Sequence, residues 1–249
     1  MAVCRFLLTV SLGLLCSLAA PLAQAEDKLL RVAVLDDAPP MAYRDRSGNL
    51  TGFSYTIAQA LCQEMKVRCQ FQVTRLDYLV DDLAAGNFDI AAVGLLNTPE
   101  RGEKILFSKS VYRSISLWFA RPGIEPGQHG IRVSTFRGSA HERHLKAQGW
   151  DVVVAQSDGQ MLEQLSAGVA QAVVVPLMTS LGLQKNPKFL QFGLTATVLH
   201  AAELEGAASF GINPHRADLK VPLDKALDTI LRNGVYERIN TQFLPFRVN

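Results

Sequence analysis

Three short clusters in this chain carry side chains that could hold or process a small polar molecule. Gly138-Ser139-Ala140-His141-Glu142 follows a β-like run and reads as a capping box, with Ser139 at the N-cap and Glu142 three residues on. A helix start of this kind leaves backbone N–H groups unpaired and attracts anions. Thr98-Pro99-Glu100-Arg101 opens a second, short helix, with Thr98 as N-cap and Pro99 at the first helical position. Asp36 and Asp37 end the first strand just before Pro39-Pro40, at the strand edge where open α/β sheets place their ligands.

Other polar groups carry less chemistry. His141 and His144 stand three apart on a predicted helix, but no cysteine or third histidine follows nearby, so solvated helix histidines are expected. Asp81-Asp82 and Glu203/Glu205 read as solvated charges. There is no G-x-S-x-G, no H-E-x-x-H and no phosphate-binding glycine loop, and Ser139 has no base near it in sequence. No catalytic residue, metal or cofactor is therefore assigned, and no enzyme activity is expected from these motifs.

These clusters sit in a chain of 249 residues that opens like a secretory precursor. Arg5, an apolar run from Phe6 to about Ala20 and the triplet Ala23-Gln24-Ala25 predict a signal peptide cleaved after Ala25. The run is short for a bilayer span, and charges follow it at once. The exported part, 26–249, has 224 residues and a net charge of +1. That length supports one large core or two small ones, and the balance gives no reason to expect nucleic acid or an anionic membrane as partner. A periplasmic monomer is expected. Cys62 and Cys69 remain, and an oxidising compartment favours a disulfide over a metal site or nucleophile.

Short β-rich runs alternate with amphipathic stretches, which predicts an α/β fold with mostly parallel sheet. Strands are expected over 29–35, 70–74, 90–95 and 209–212, and helices over 53–65, 79–85, 223–231 and 236–243. Residues 79–96 align without gaps to 161–178, with five of 18 positions identical, and each unit reads as helix, capping glycine and buried strand. Two similar lobes follow. An extended segment near 113–120 and another near 207–212 are the expected crossings between them, with the second lobe inserted in the first.

Taken in order, Leu30-Arg31-Val32, Pro39-Pro40, Gly52-Phe53, Phe88-Asp89, Thr98 to Arg101, Phe107-Ser108, Tyr112 and Gly138-Ser139 resemble the family 3 periplasmic solute-binding proteins of ABC transporters. The similarity is greatest to the histidine and lysine/arginine/ornithine binders and covers essentially all of the exported chain. It implies a bilobal periplasmic-binding-protein fold (type II), two mixed-sheet lobes joined by a two-strand hinge. Lobe 1 would comprise 26–115 with 209–249, and lobe 2 would comprise 116–208. It also implies a disulfide between Cys62 and Cys69, and an inner-membrane permease or a sensor as the partner of the closed form.

The resemblance carries ligand roles over only in part. Arg101 matches the arginine that holds a ligand carboxylate, a task suited to the bidentate guanidinium fork. Ser139 and Ala140 match the helix start that meets the same carboxylate. Four family positions are changed. The Asp that pairs with a ligand ammonium falls on Pro176, a second Asp on Leu35, a stacking aromatic on Ala38, and a hydroxyl residue on Leu96. An ammonium without a partner in a closed cleft costs several kcal/mol. The expected ligand is thus a carboxylate with an apolar or uncharged body, flanked by Leu76, Tyr78, Leu96 and Met178, with Gly94 beside it. Asp36 or Asp37 would serve only an ammonium-bearing ligand. A secreted dehydratase-like enzyme and a degenerate member acting in protein interaction or sensing are the alternative readings.

Overall fold

A computed structural model describes residues 29–248; the expected signal peptide, 1–25, lies outside them. The chain begins with β1 (Leu29–Val34) and a small antiparallel sheet of β2 (Asp37–Ala38), β3 (Ala42–Arg44) and β4 (Leu50–Thr51). Then come α1 (Phe53–Glu64), β5 (Arg68–Val73), α2 (Leu76–Ala84), β6 (Ile90–Leu96), α3 (Pro99–Gly102) and β7 (Leu106–Ser114). Next follow β8 (Ser116–Ala120), β9 (Arg132–Phe136), α4 (Ala140–Ala147), β10 (Asp151–Ala155), α5 (Asp158–Ser166), β11 (Ala172–Pro176), α6 (Leu177–Leu183), α7 (Pro187–Gln191) and β12 (Thr195–Leu199). The chain closes with β13 (Gly206–Ile212), α8 (Lys220–Arg232) and α9 (Val235–Phe243).

The strands form two five-stranded mixed sheets, β5-β1-β6-β13-β7 and β10-β9-β11-β8-β12, one in each lobe. Each sheet has three parallel strands followed by an antiparallel strand, β13 beside β6 in one and β8 beside β11 in the other. The internal similarity seen in the sequence is this repeated unit. Leu83 before Gly86 and Leu165 before Gly168 are both buried, and each glycine turns the chain at positive φ, where a side chain is disfavoured.

Ile115 alone separates β7 from β8, so the first passage between lobes is nearly continuous strand. The return passage runs over 200–205 through a short 3-10 turn at Ala202–Leu204. It lies ahead of the expected 207–212, because β13 already pairs with β7 from Gly206 onward. The central strands are apolar on both faces, as parallel strands covered by helices must be. Phe53, Ile57 and Leu61 of α1 pack with Phe210, Leu227 and Tyr236 in the first lobe, where the Phe53 and Tyr236 rings meet edge to face at 5.7 Å. Phe119, Met161, Val173 and Phe189 build the core of the second. Cys62 and Cys69 are joined as a disulfide that ties α1 to the neighbouring strand β5. Among the described residues no helix is long and apolar enough to cross a membrane.

Candidate functional site

The lobes touch at the ends of their parallel strands, and two adjoining cavities of about 100 and 140 Å³ lie between them. Glycines set how closely the lobes approach. A Cβ on Gly138 would stand 2.5 Å from Asp77 Cα, and one on Gly182 would stand 2.5 Å from the Pro39 carbonyl oxygen. Gly94, inside the first lobe, has no side chain because the Tyr112 hydroxyl occupies that space, 2.1 Å from where a Cβ would be.

Arg101 is the central group. It follows Thr98, whose hydroxyl accepts from the Arg101 amide and caps α3, and its side chain turns inward until the residue is only 4 % exposed. Nη1 donates to the Leu96 carbonyl at 3.2 Å and Nη2 to the Gly138 carbonyl of the other lobe at 3.3 Å. Nε is buried with no partner. Burial, then repulsion from Arg143, brings its pKa down to about 10, so the guanidinium is still charged at neutral pH. Glu100, bonded to Arg143 across the cleft, offsets these effects only in part.

Facing Arg101 is the start of α4. Ser139 accepts from the Glu142 amide at 3.0 Å, as the capping box predicts, while the Glu142 carboxylate accepts from the Gly138 amide at 2.6 Å. The first two helical amides, of Ala140 and His141, have no intrahelical acceptor and add positive potential beside Arg101. His141 departs from the expectation of a solvated histidine. It sits in the first turn of α4, the turn that faces the hinge, and is fully buried there. The Ser116 hydroxyl gives its proton to the Leu204 carbonyl, so His141 Nε2, 2.8 Å away, must be the donor to that hydroxyl. Burial, followed by the charge of Arg101, lowers the imidazole pKa to about 3 and keeps it neutral. His144 points elsewhere and pairs with Glu203.

Arg101, Gly94, Leu96, Leu76, Ser139, Ala140 and Pro176 all line the first cavity. So do Leu35 and Ala38, so Leu35, Ala38 and Leu96 of the first lobe and Pro176 of the second border the same cavity. Among the described residues, no carboxylate lines this cavity. Asp36 and Asp37 line the second one, where Asp36 is paired with Arg44. Two expected residues are elsewhere. Tyr78 is 55 % exposed and lies beneath the Arg75 guanidinium, because Leu79 takes the inward face of α2. Met178 packs into the first lobe's core, because β11 ends at Pro176 and α6 carries the side chain away.

Ser54, Tyr112, Ser114, Phe136, His141 and Thr179 also line the first cavity, and sequence reasoning did not single them out as site residues. Tyr112 gave a signal as part of the ordered motif set, and His141 stood in the capping-box cluster but was read as a solvated helix histidine. Asp158, the first residue of α5, was missed as well. Burial, and then the nearby Asp37 of the other lobe, raise its pKa to about 7.

The model of the bacterial extracellular solute-binding proteins, family 3, matches residues 30–246. The chain belongs to that family. Among its family 3 relatives is the lysine/arginine/ornithine-binding periplasmic protein of Escherichia coli K12, 25 % identical over 98 % of each chain. An ancestral arginine-binding protein solved with arginine superposes with a TM-score of 0.76 at 22 % identity, covering 86 % of this chain and 97 % of that one. A histidine kinase sensor domain similar to periplasmic binding proteins gives 0.78 at 19 % identity, covering 89 % and 98 %. These superpositions agree with the two lobes, one mixed sheet in each, described above. Family 3 membership thus accounts for the scaffold.

Proposed function

We propose that this protein is a periplasmic solute-binding protein that captures a small carboxylate without a ligand ammonium by closing its lobes. The observation that carries the reading is Arg101, a buried cation with an unpartnered Nε in a cavity that no carboxylate lines. A ligand carboxylate would accept from Nε and from the Ala140 and His141 amides, giving this cation a counter-charge. Pro176, Leu35, Ala38 and Leu96 would enclose an uncharged body. Export after Ala25, two units of 26–115 with 206–249 and 116–205, the boundary moved from 208 because β13 of the first sheet begins at Gly206, and a monomer presenting its closed form to an ABC permease or a sensor complete the proposal. It assigns binding, and no catalysis, to the cleft.

The dehydratase-like alternative would draw on Asp36 and Asp37, which line the second cavity and not the one that holds Arg101, or on the Asp158 carboxyl held near neutral pKa beside Asp37. A general acid must reach the substrate, and Asp158 is not among the residues lining either cavity. The binding reading is therefore preferred.

The test is thermal stability of refolded, ligand-free protein against L-amino acids, the matching α-keto acids, monocarboxylates and dicarboxylates. A ligand at a hundred times its Kd stabilises by about 2.7 kcal/mol, roughly 5–10 °C for a chain this long. Ammonium-free acids are expected to raise the melting temperature, and Arg101→Ala to abolish the rise. A response to amino acids alone would assign the ammonium to Asp36 or Asp37 and overturn the reading.

A further inference from the structure

The floor of the first cavity carries two hydroxyl groups that no group among the described residues pairs. Ser54, in the first turn of α1, is 1 % exposed, and its Oγ has no hydrogen-bond partner. Tyr112, in β7, is 5 % exposed, and among the described residues no group bonds its hydroxyl, which fills the space above Gly94. Both residues line the cavity, as do Gly94 and Arg101. The Phe53 ring, next to Ser54 in sequence, stands edge to face with the Tyr112 ring at 6.2 Å. The two hydroxyls thus share one region of the first lobe, held by β6, β7 and the start of α1.

A buried hydroxyl such as Ser54 Oγ is nearly always bonded, and an unpaired one is a cost that a structure without a use for it sheds, while Tyr112 lines the same cavity. The apolar alternatives, alanine at 54 and phenylalanine at 112, keep the same shape. Such a pair fits a ligand group that arrives with hydrogen-bonding capacity and no charge. Among the described residues, no cation or anion other than Arg101 lines the cavity to meet a second charged group. A hydroxyl can give and accept a hydrogen bond, so the partner is an alcohol, a ketone or a carboxamide oxygen.

We infer that Ser54 and Tyr112 form a second, neutral polar subsite, which makes the ligand a small monocarboxylate carrying a hydroxyl, oxo or carboxamide group on its body. The inference rests on the carboxylate reading for the ligand's other end. A site built to bond an uncharged polar group discriminates strongly against the analogue that lacks it, because its own hydroxyls are then left unpaired.

The experiment titrates butanoate, pentanoate and their hydroxy, oxo and carboxamide derivatives into the mature protein by calorimetry. At least one derivative is expected to bind about tenfold or more tightly than its parent acid. Ser54→Ala or Tyr112→Phe should bring that ratio below about threefold while leaving the parent acid's Kd nearly unchanged. Parent acids that bind as tightly as every derivative, or a preference that survives both substitutions, would overturn the subsite. A ligand-free readout separates this inference from the carboxylate reading. If the hydroxyls are unpaired in the free protein, Ser54→Ala and Tyr112→Phe leave its melting temperature unchanged or higher. A fall of more than about 4 °C for either would mean that the hydroxyl is bonded structurally, and would overturn the subsite whichever acids bind.

Discussion

Glu100 and Arg143 meet across the cleft, Oε2 to Nε at 2.6 Å, one residue from each lobe. The bridge engages the acidic neighbour of Arg101, which offsets the effects of burial and of Arg143 on Arg101 only in part. Both partners of the bridge are substantially exposed, so its own contribution is small, about 0–1 kcal/mol. Glu100→Gln is therefore expected to change ligand affinity less than about fivefold. Arg101→Ala should lower it at least a hundredfold, as the loss of a buried charge pair does. Calorimetry on the two variants checks the contrast, and equal effects would count against Arg101 as the anchor.

Gly182 provides a test of closure. It is helical, so alanine there improves helix propensity by about 1 kcal/mol in the separated lobe. With the lobes together, the added methyl would meet the Pro39 carbonyl oxygen at 2.5 Å. Gly182→Ala should keep or raise the melting temperature of the free protein and weaken ligand binding at least about tenfold. Unchanged affinity would mean that closure does not bring these two residues together.

Asp158 sets a pH dependence of definite sign. Its carboxyl is raised from 3.8 to about 7, first by burial and then by Asp37, so the folded protein binds that proton more tightly than the unfolded chain. The stability it contributes is complete below about pH 3.8 and is lost as pH rises through about 7. Asp158→Asn retains the uncharged form at every pH. The melting-temperature difference, variant minus wild type, should grow from pH 4 to pH 7 and level off above, reaching about 3 °C or more at pH 8. A difference that stays flat across that range would contradict the assignment.

His141 titrates in the opposite sense. Burial and the charge of Arg101 lower its pKa from 6.5 to about 3, so its contribution is present above about pH 6.5 and is lost as pH falls toward 3. Imidazole nitrogen chemical shifts should report the neutral tautomer with the proton on Nε2, unchanged between pH 5 and pH 8. Titration within that window, or a proton on Nδ1, would show that the Ser116 bond is not made as described.

The disulfide closes a loop with a sequence separation of seven. The chain-entropy model gives about 2–3 kcal/mol for a loop of this size. Replacing both cysteines with alanine should lower the melting temperature by roughly 5–10 °C and leave ligand affinity unaffected, since neither residue lines the cavities.

Much of the scaffold was legible because it follows from local rules. The helix–glycine–strand unit appears twice because Leu83 and Leu165 need burial and Gly86 and Gly168 need positive φ, and both demands are written in residue type. The capping box at Ser139 and the cap at Thr98 were legible for the same reason. β12 was not, since four of its five residues are exposed and it exists by pairing with β8 at the sheet edge. In the site, Arg101 and the four changed positions could be found from motif order, and all five line one cavity. Tyr78 misled because being near the cleft in sequence does not fix which face of α2 a residue occupies. Ser54, His141 and Asp158 were hidden because their environments come from segments distant in sequence, Ser116 for His141 and Asp37 for Asp158.

Gly206 lies opposite Ser114 in the β13–β7 ladder, so the chain leaves the first sheet and returns to it at neighbouring points. Everything between them, including all five strands of the second sheet, hangs from a single doorway one strand-spacing wide. A tight turn could bridge that doorway, so the intervening segment could be cut out, or replaced by its counterpart from a relative, without redrawing a strand of the host sheet. The Arg101 half of the cavity wall would stay behind in such a graft, while Ser139, Ala140, His141 and Pro176 would travel with the insert. Chimaeras made at this seam would thus reassign one wall of the binding site at a time.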